Sequence, residues 1–236
     1  MFSPLPDRPP RGVVRRRLAA LVTAVALLTA GVAAAAPADA AVLPGPFAYV
    51  ADSGAGTVSV VDGGSTTVTS TVPVGGTPSG VAVSPDGSRA YVTQSAGNTV
   101  AVLSTATRAV TATVPVGASP YAVAVTPDGS QVYVTNPGDN TVSVIDAATG
   151  TVSATIGVGV RPLGVAVDPS GAQVYVTNDS DTNTLWVIST ATHAVTATVP
   201  LPAHAYGVRS PRTARAPTSP WSTAAPSRWS TPPPAP

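Results

Sequence analysis

Four tyrosines recur in this chain at one interval of 42 residues: Tyr49, Tyr91, Tyr133 and Tyr175. Each is followed by Val and then by Thr or Ala, and a Pro-x-Gly turn precedes three of them at a constant distance. A fixed period of this length indicates one supersecondary unit that is copied and stacked, because a single copy cannot bury its own apolar face. The sequence therefore predicts a repeat protein.

One copy of the repeat, residues 121–160, contains four short segments rich in Val, Thr and Ile: 121–125, 132–136, 141–145 and 151–156. Pro127-Asp128-Gly129 between the first two is a tight-turn signature, because Pro presets its backbone angle and Gly supplies a positive φ. The third segment alternates polar and apolar residues, which predicts a strand with one buried face. Nothing in the copy has helical length or spacing, so we expect a four-stranded antiparallel sheet.

Small sheets repeated along a chain stack radially as the blades of a β-propeller. The first strand of each copy is small and apolar, as in Ala122–Val125, and this suits the crowded position nearest the axis. We therefore predict an all-β fold, a β-propeller of four-stranded antiparallel blades with 42-residue repeats. About four blades are present, in an open or truncated ring, and Phe47-Ala48-Tyr49 begins at the second strand of its blade. A β-solenoid is the alternative, although its coils are usually shorter.

The segments Tyr133-Val-Thr-Asn136 and Tyr175-Val-Thr-Asn178, with the turn before and the Thr-Val-Ser-Val-Ile-Asp strand after the first, resemble the YVTN family of β-propeller repeat proteins. The resemblance covers roughly residues 46–208. It implies a secreted, periplasmic or surface-layer protein, usually with about seven blades and often without known enzymatic activity. Related propellers include lactonase-like enzymes and haem-bearing reductase domains, so the fold alone does not decide the function.

The two ends of the chain differ in composition from the repeats. Residues 1–40 combine a basic segment ending at Arg17, an apolar stretch from Leu18 to Ala36, and Ala38-Asp39-Ala40, a small-x-small cleavage pattern. This predicts a secretory signal peptide, with an uncleaved membrane anchor as the alternative. Residues 41–208 carry three Arg and nine Asp, so the repeat region is acidic and no nucleic-acid partner is expected. The chain has no Cys, which excludes disulfides and thiolate metal sites.

Residues 209–236 lose the repeat and are rich in Pro, Arg, Ser and Thr. A disordered basic tail is one interpretation. The other is a frameshift near residue 208, because codons chosen for residues 209–220 encode Val-Ser-Pro-Asp-Gly-Thr-Arg-Ala-Tyr-Val-Thr when two bases are skipped. That peptide matches Val83–Thr93 except at Ser88. We therefore expect three parts: a signal peptide at 1–40, propeller repeats at 41–208, and a disordered tail at 209–236 that is a frameshifted remnant of a further repeat.

Candidate binding residues lie in the connectors between one copy and the next. Arg161 and His204 match in repeat register, and connectors in a propeller ring one mouth of the central channel. There they could converge with Tyr121 and Tyr206 on a ligand, with Arg161 as the anchor for an anion. The alternative is that all four are exposed loop residues. The remaining histidine, His193, occupies a turn where other copies have Arg108 or Gly150, and we interpret it as a solvated turn residue.

Asp179, Asp181 and Asn183 alternate as at the start of a calcium loop, although the Gly and Glu that complete such a loop are absent. A polar hairpin turn explains them equally well. Calcium is therefore a possible cofactor, and if it binds this loop it should raise the melting temperature of the protein. No nucleophile elbow, phosphate-binding loop or acid–base pair appears, so no catalytic residue is predicted. The leading hypothesis is a secreted or cell-surface scaffold that binds a protein or cell-wall partner. Membrane contact is expected only through the signal segment, if that segment is not cleaved. A lactonase-like or cofactor-binding propeller enzyme is the alternative.

Overall fold

The structure is a computed structural model that describes residues 47–180, 183–202 and 205–210. Within these residues the chain forms fifteen β-strands and one short 3-10 turn at Ser95–Gly97. No helix in the described ranges is long and apolar enough to cross a bilayer. The predicted signal peptide and almost all of the predicted tail lie outside the described residues.

The strands form four antiparallel sheets, each built from consecutive strands. The first sheet contains β1 (Phe47–Asp52), β2 (Thr57–Asp62) and β3 (Thr67–Pro73). The second contains β4 (Pro78–Val83), β5 (Arg89–Gln94), β6 (Thr99–Ser104) and β7 (Ala109–Pro115). The third contains β8 (Val123–Val125), β9 (Gln131–Asn136), β10 (Thr141–Asp146) and β11 (Thr151–Gly157). The fourth contains β12 (Pro162–Val167), β13 (Gln173–Asn178), β14 (Thr184–Ser189) and β15 (Val195–Pro200).

The register of these sheets confirms the repeat. Tyr49, Tyr91, Tyr133 and Tyr175 each pair with a Val of the next strand, so β1 is the equivalent of the second strand of the other sheets. The prediction that Phe47 begins at a second strand is therefore correct. The turns before these strands also repeat, with positive φ at Gly87, Gly129 and Gly171.

Aspartates in the turns stabilise those turns through hydrogen bonds to the backbone. Asp86 Oδ1 and Asp128 Oδ1 each accept a hydrogen bond at 3.0 Å from the N–H two residues later. Asp146 Oδ1 accepts from the N–H groups two and three residues later, those of Ala148 and Thr149, at 2.9 and 2.8 Å. Charge-assisted bonds of this kind fix the turn conformation.

The hydrophobic core is divided into three layers, one between each pair of consecutive sheets. Val58 and Leu103 belong to the layer between the first and second sheets, Tyr91 and Ile145 to the next, and Tyr133 and Ile188 to the last. The middle strands are therefore covered on both faces. One expectation was wrong for this reason: β10 is buried on both faces, and Ser143 is only 1% exposed. Its hydroxyl accepts a hydrogen bond from Asn136 Nδ2 at 2.9 Å, which satisfies the polar group.

The inner strands β4, β8 and β12 pack against one another in chain order, as expected for blades around a shared axis. Threonines of the second strands join them. Thr93 Oγ1 accepts a hydrogen bond from Gly80 N in its own sheet and donates one to Tyr121 O in the next, at 2.7 and 2.8 Å. Thr135 does the same with Ala122 N and Leu163 O, at 3.0 and 2.9 Å.

Small inner-strand residues are required for this close approach. A Cβ at Gly80 would lie 2.6 Å from Tyr121 O, and one at Gly164 would lie 2.9 Å from Gly207 Cα. Residues 207–208 therefore lie against β12 as Tyr121 and Ala122 lie against β4. Within the described part of the chain, the packed inner strands do not lead from the fourth sheet back to the first, so the propeller is open, as predicted.

Candidate functional site

The connectors between sheets lie together along one end of the inner strands, which we call the connector rim and define as residues 116–121, 158–163 and 205–206. Asparagines in left-handed turns fix its backbone: Asn98 Oδ1 accepts from Ser119 N at 2.9 Å, and Asn140 Oδ1 accepts from Arg161 N at 3.0 Å. Ser119 and Arg161 themselves have φ of 55° and 51°. Such conformations are uncommon for residues with a side chain, so the rim is held in shape by specific bonds.

The last residue of two Tyr-Val-Thr-(Asn/Gln) segments donates a hydrogen bond to a connector carbonyl, whereas Asn136 Nδ2 donates to the hydroxyls of Thr141 and Ser143 in its own sheet. Asn178 Nδ2 donates to Val160 O at 3.2 Å, and Gln94 Nε2 donates to Val74 O and Gly75 O. The glycines above them leave no spare room, since a Cβ at Gly159 would lie 3.0 Å from Asn178 Nδ2. Each position of the motif thus has a physical role: Tyr fills the layer between sheets, Thr joins inner strands, and the side-chain amide of Asn178 or Gln94 binds the connector.

Arg161 and Asp179 form an ion pair on this rim, with Nη1 and Oδ2 3.4 Å apart. The Arg161 side chain is 61% exposed, whereas that of Asp179 is 6% exposed. Asp179 N also donates to Arg161 O at 3.0 Å, so the two residues are joined through backbone and side chain. One partner is buried and the other is solvated, and the buried carboxylate limits the orientations of the guanidinium.

The other candidate residues are placed as follows. Tyr121 begins the third sheet's inner-strand segment and is 49% exposed, and Tyr206 holds the matching position one sheet beyond the fourth and is 67% exposed. Leu163 occupies that register position in between and is buried. Tyr121, Arg161 and Tyr206 thus lie on one rim, while His204 lies outside the described residues.

The predicted calcium loop is only partly described, because Asp181 lies outside the described residues. Asp179 is engaged by Arg161. Asn183 has a φ of 32° and holds the turn position of Asn98 and Asn140, whose side chains bind connector amides. Among the described residues, no three His or acidic side chains are grouped as a metal would require. Calcium binding by this loop stays a prediction.

His193 occupies the turn position predicted for it, with a φ of 54° that matches the 53° of Arg108. Its ring is not isolated, however, because it meets the ring of Tyr133 edge-on at 6.5 Å and its Nε2 lies 3.2 Å from Gln131 Nε2. Both partners belong to the preceding sheet. His193 therefore joins two sheets on the rim opposite the connectors.

A groove of about 680 Å³ runs along the inner strands towards that opposite rim. Its walls are small apolar residues such as Val123, Ala124 and Val165, and its charged lining residues are Asp168 and Arg209. Arg161, Tyr121 and Tyr206 do not line it. Sequence reasoning did not single out Asp168 or Arg209, and the only available signal was that Asp168 begins a turn where other copies have Ser84 or Thr126.

Burial tends to raise the pKa of the Asp168 carboxyl, but hydrogen bonds from Ser170 and Gln173 outweigh it and lower the pKa below the usual value. Asp168 is thus an ionised acceptor at neutral pH and is poorly suited to act as a general acid. The rim offers an oriented guanidinium and two exposed phenol rings, a set that suits binding more than proton transfer.

Comparison with known proteins agrees with this architecture. Residues 44–204 match the family model described as "Lactonase, 7-bladed beta-propeller". A solved structure of Kuenenia stuttgartiensis hydrazine synthase matches with a TM-score of 0.65 at 24% identity, over 67% of this chain and 47% of that chain. The chain therefore spans about half of that structure, and the likeness shows the fold alone. No curated protein matches this chain significantly.

Proposed function

Since this chain belongs to the seven-bladed β-propeller lactonase family, we propose that it uses the propeller as a binding scaffold, with the connector rim as its contact surface. The proposed partner is a protein or a cell-wall polymer outside the cytoplasm. The proposed export rests on the basic, apolar and cleavage-site segments of residues 1–40. The YVTN-type repeat remains part of the proposal and rests on the four tyrosine segments.

The observation that carries this proposal is the exposure of Tyr121, Tyr206 and Arg161 along one rim. Tyr and Arg are the residue types that most often contribute large binding energies at interfaces, because each combines contact area with hydrogen bonding. Leu163, in the same register, is buried, so the exposure of the two tyrosines is not simply a property of the repeat position.

The rigidity of the rim also favours binding. Asn98 and Asn140 fix the connectors, and Asp179 orients Arg161 before any partner arrives. A surface that is already ordered loses less conformational entropy on association than a mobile loop.

Cosedimentation of the full chain with purified peptidoglycan sacculi tests the proposal for a cell-wall partner. Arg161→Ala and Tyr121→Ala should each weaken the apparent affinity for the sacculi by about tenfold, as expected for central interface residues. Arg108→Ala is the matched control, because Arg108 lies in a turn on the opposite rim, and it should bind like the unaltered chain. Equal binding by all three variants, or no binding by the unaltered chain, would refute the cell-wall form of the proposal.

Lactone hydrolysis is the second candidate, and the family match favours it. Asp168 and Arg209 are the charged groups of the groove that could act there. A pH-stat assay with simple γ-lactones separates the two candidates. Saturable turnover that Asp168→Asn abolishes would replace the scaffold proposal, whereas absence of turnover combined with rim-dependent binding supports it.

A further inference from the structure

On the rim opposite the connectors, a side chain from the turn before the outer strand narrows the first and third gaps between consecutive sheets, although the first gap keeps a smaller cleft of about 330 Å³ beside Phe47 and Tyr49. In the first gap, the Arg108 guanidinium lies over the Phe47 ring with Cζ 5.5 Å from its centroid. In the third gap, His193 meets Tyr133 and Gln131 of the preceding sheet. Each planar group fills space that would otherwise be open between two sheets.

The second gap differs because Gly150 stands at this turn position. Gly150 has a φ of 67°, close to the 53° and 54° of Arg108 and His193, so the backbone is the same and only the side chain is lost. A Cβ at Gly150 would meet no atom within 4 Å. Two adjoining clefts of about 530 and 510 Å³ occupy this gap, and we call the second, which Gly150 lines, the Gly150 cleft.

Polar groups at the base of the Gly150 cleft also differ from those of the other repeats. Tyr91 lines the cleft and is only 2% exposed, yet its hydroxyl makes no hydrogen bond within the described part of the chain. The hydroxyls of Tyr133 and Tyr175 donate to Gln131 and Gln173, at 2.7 and 3.1 Å. The Tyr91 hydroxyl therefore opens on the cleft without a protein partner, and it can donate a hydrogen bond to a ligand there.

Arg89 stands where those glutamines stand in the later sheets. Its Nη1 donates to Ala147 O of the next sheet at 2.6 Å, and this is the one hydrogen bond of its side chain among the described residues. The guanidinium therefore retains further N–H donors in the cleft that Tyr91 also lines. Among the described residues, Arg89 is also the one charged residue that lines the Gly150 cleft.

The remaining walls of the Gly150 cleft are mixed: Val102, Ala112 and Ile145 are among the apolar residues, and Ser88, Ser104, Thr111 and Thr149 contribute hydroxyl-bearing side chains. Asp86 and Asp128 line the adjoining cleft, where both are hydrogen-bonded within their own turns. We propose that the Gly150 cleft binds a small planar carboxylate, with its ring in the space that Arg108 or His193 fills elsewhere. Its carboxylate accepts hydrogen bonds from Arg89 and from the Tyr91 hydroxyl. This site lies on the rim opposite the connectors and does not depend on the proposed scaffold function.

Benzoate is the probe, and isothermal titration of the full chain is the measurement, with benzamide as the uncharged ligand of the same shape. Gly150→His places in the cleft the residue type that lies in the third gap at a similar φ, and it should abolish benzoate binding. The melting temperature of the free protein should fall only slightly, because a side chain at positive φ is mildly strained. Arg89→Gln restores the glutamine of the later sheets, engages the Tyr91 hydroxyl, and should weaken benzoate binding by at least about tenfold.

Benzoate binding that both variants reduce, with benzamide weaker than benzoate, supports the proposal. No benzoate binding to the unaltered chain would overturn it. Equal binding by Gly150→His would place the ligand elsewhere, and equal affinity for benzamide would show that the cleft does not recognise a carboxylate; either result also overturns the proposal. Arg89→Gln keeps the test decisive if Gly150→His fails to fold.

Discussion

Thr135 tests how neighbouring sheets are held together. Its side chain is fully buried, and its hydroxyl lies between Ala122 N of its own sheet and Leu163 O of the next. Replacing it with Val keeps the shape and the strand preference of the side chain but removes both hydrogen bonds. The change therefore isolates the link between the inner strands from the packing around it.

The magnitude follows from these two bonds. Each contributes about 1 kcal/mol net, and leaving the buried Leu163 carbonyl without a partner adds a further cost of about 1 kcal/mol or more. The extra methyl group of Val returns part of this loss through apolar burial. We expect Thr135→Val to lower the free energy of unfolding by about 2–3 kcal/mol, which corresponds to a fall of roughly 4–12 °C in melting temperature for a domain of this size.

Urea unfolding followed by circular dichroism measures the effect. Thr111→Val is the control: Thr111 Oγ1 also donates to a carbonyl, Val102 O at 3.0 Å, but it lies on the exposed outer strand and joins strands of one sheet. The control should change stability by no more than about 0.5 kcal/mol. If Thr135→Val and Thr111→Val have equal effects, the inner strands are not joined through threonine and the reasoning is refuted.

Three further predictions concern acid, packing and base. Hydrogen bonds from Ser84 and the rest of its turn lower the pKa of Asp86 to about 2 from an ordinary 3.8. Its contribution to stability is therefore present above pH 3.8 and lost as the pH falls towards 2. The melting temperature of Asp86→Asn should depend less steeply on pH over this range than that of the unaltered chain. Gly80→Ala would bring a Cβ to 2.6 Å from a carbonyl of the next sheet and should cost about 1–3 kcal/mol, whereas Gly157→Ala, whose Cβ would meet nothing, should be nearly neutral by urea unfolding. Burial, aided by Asp128, raises the pKa of Tyr133 to about 12, so ultraviolet titration should show a late-ionising tyrosine and stability should fall between pH 10 and 12; complete ionisation near pH 10 in the folded protein would contradict this.

The period of the tyrosines was enough to predict the sheets, their order and the open array, because strand length, turn residues and repeat interval all agreed. It also placed His193 correctly in a turn. The alternation within β10 was misleading, because it describes a sheet with one solvated face and a blade has a neighbour on each side. Ser143 is buried there by the stacking of sheets, which local pattern does not report.

The site was harder to predict, since it depends on distances between residues that are far apart in sequence. The ion pair of Arg161 and Asp179 forms because a connector with positive φ returns over the end of β13. The Gly150 cleft was accessible in principle, because the alignment of Arg108, Gly150 and His193 shows one copy without a side chain. The sequence could not show that the missing side chain leaves a cleft, because the positions of Arg108 and His193 between sheets are known only from the structure.

Each sheet lies directly beside the previous one around a shared axis. In the structure, the turn glycine of one sheet approaches the turn proline of the preceding sheet: a Cβ at Gly129 would lie 3.5 Å from Pro85 Cδ, and one at Gly171 would lie 3.3 Å from Pro127 Cδ. Nuclear Overhauser spectroscopy of the full chain should therefore show cross-peaks between the α protons of each glycine and the δ protons of its proline. Cross-strand signals within the sheets without these two contacts would show that the sheets form but do not stack, and would contradict the account.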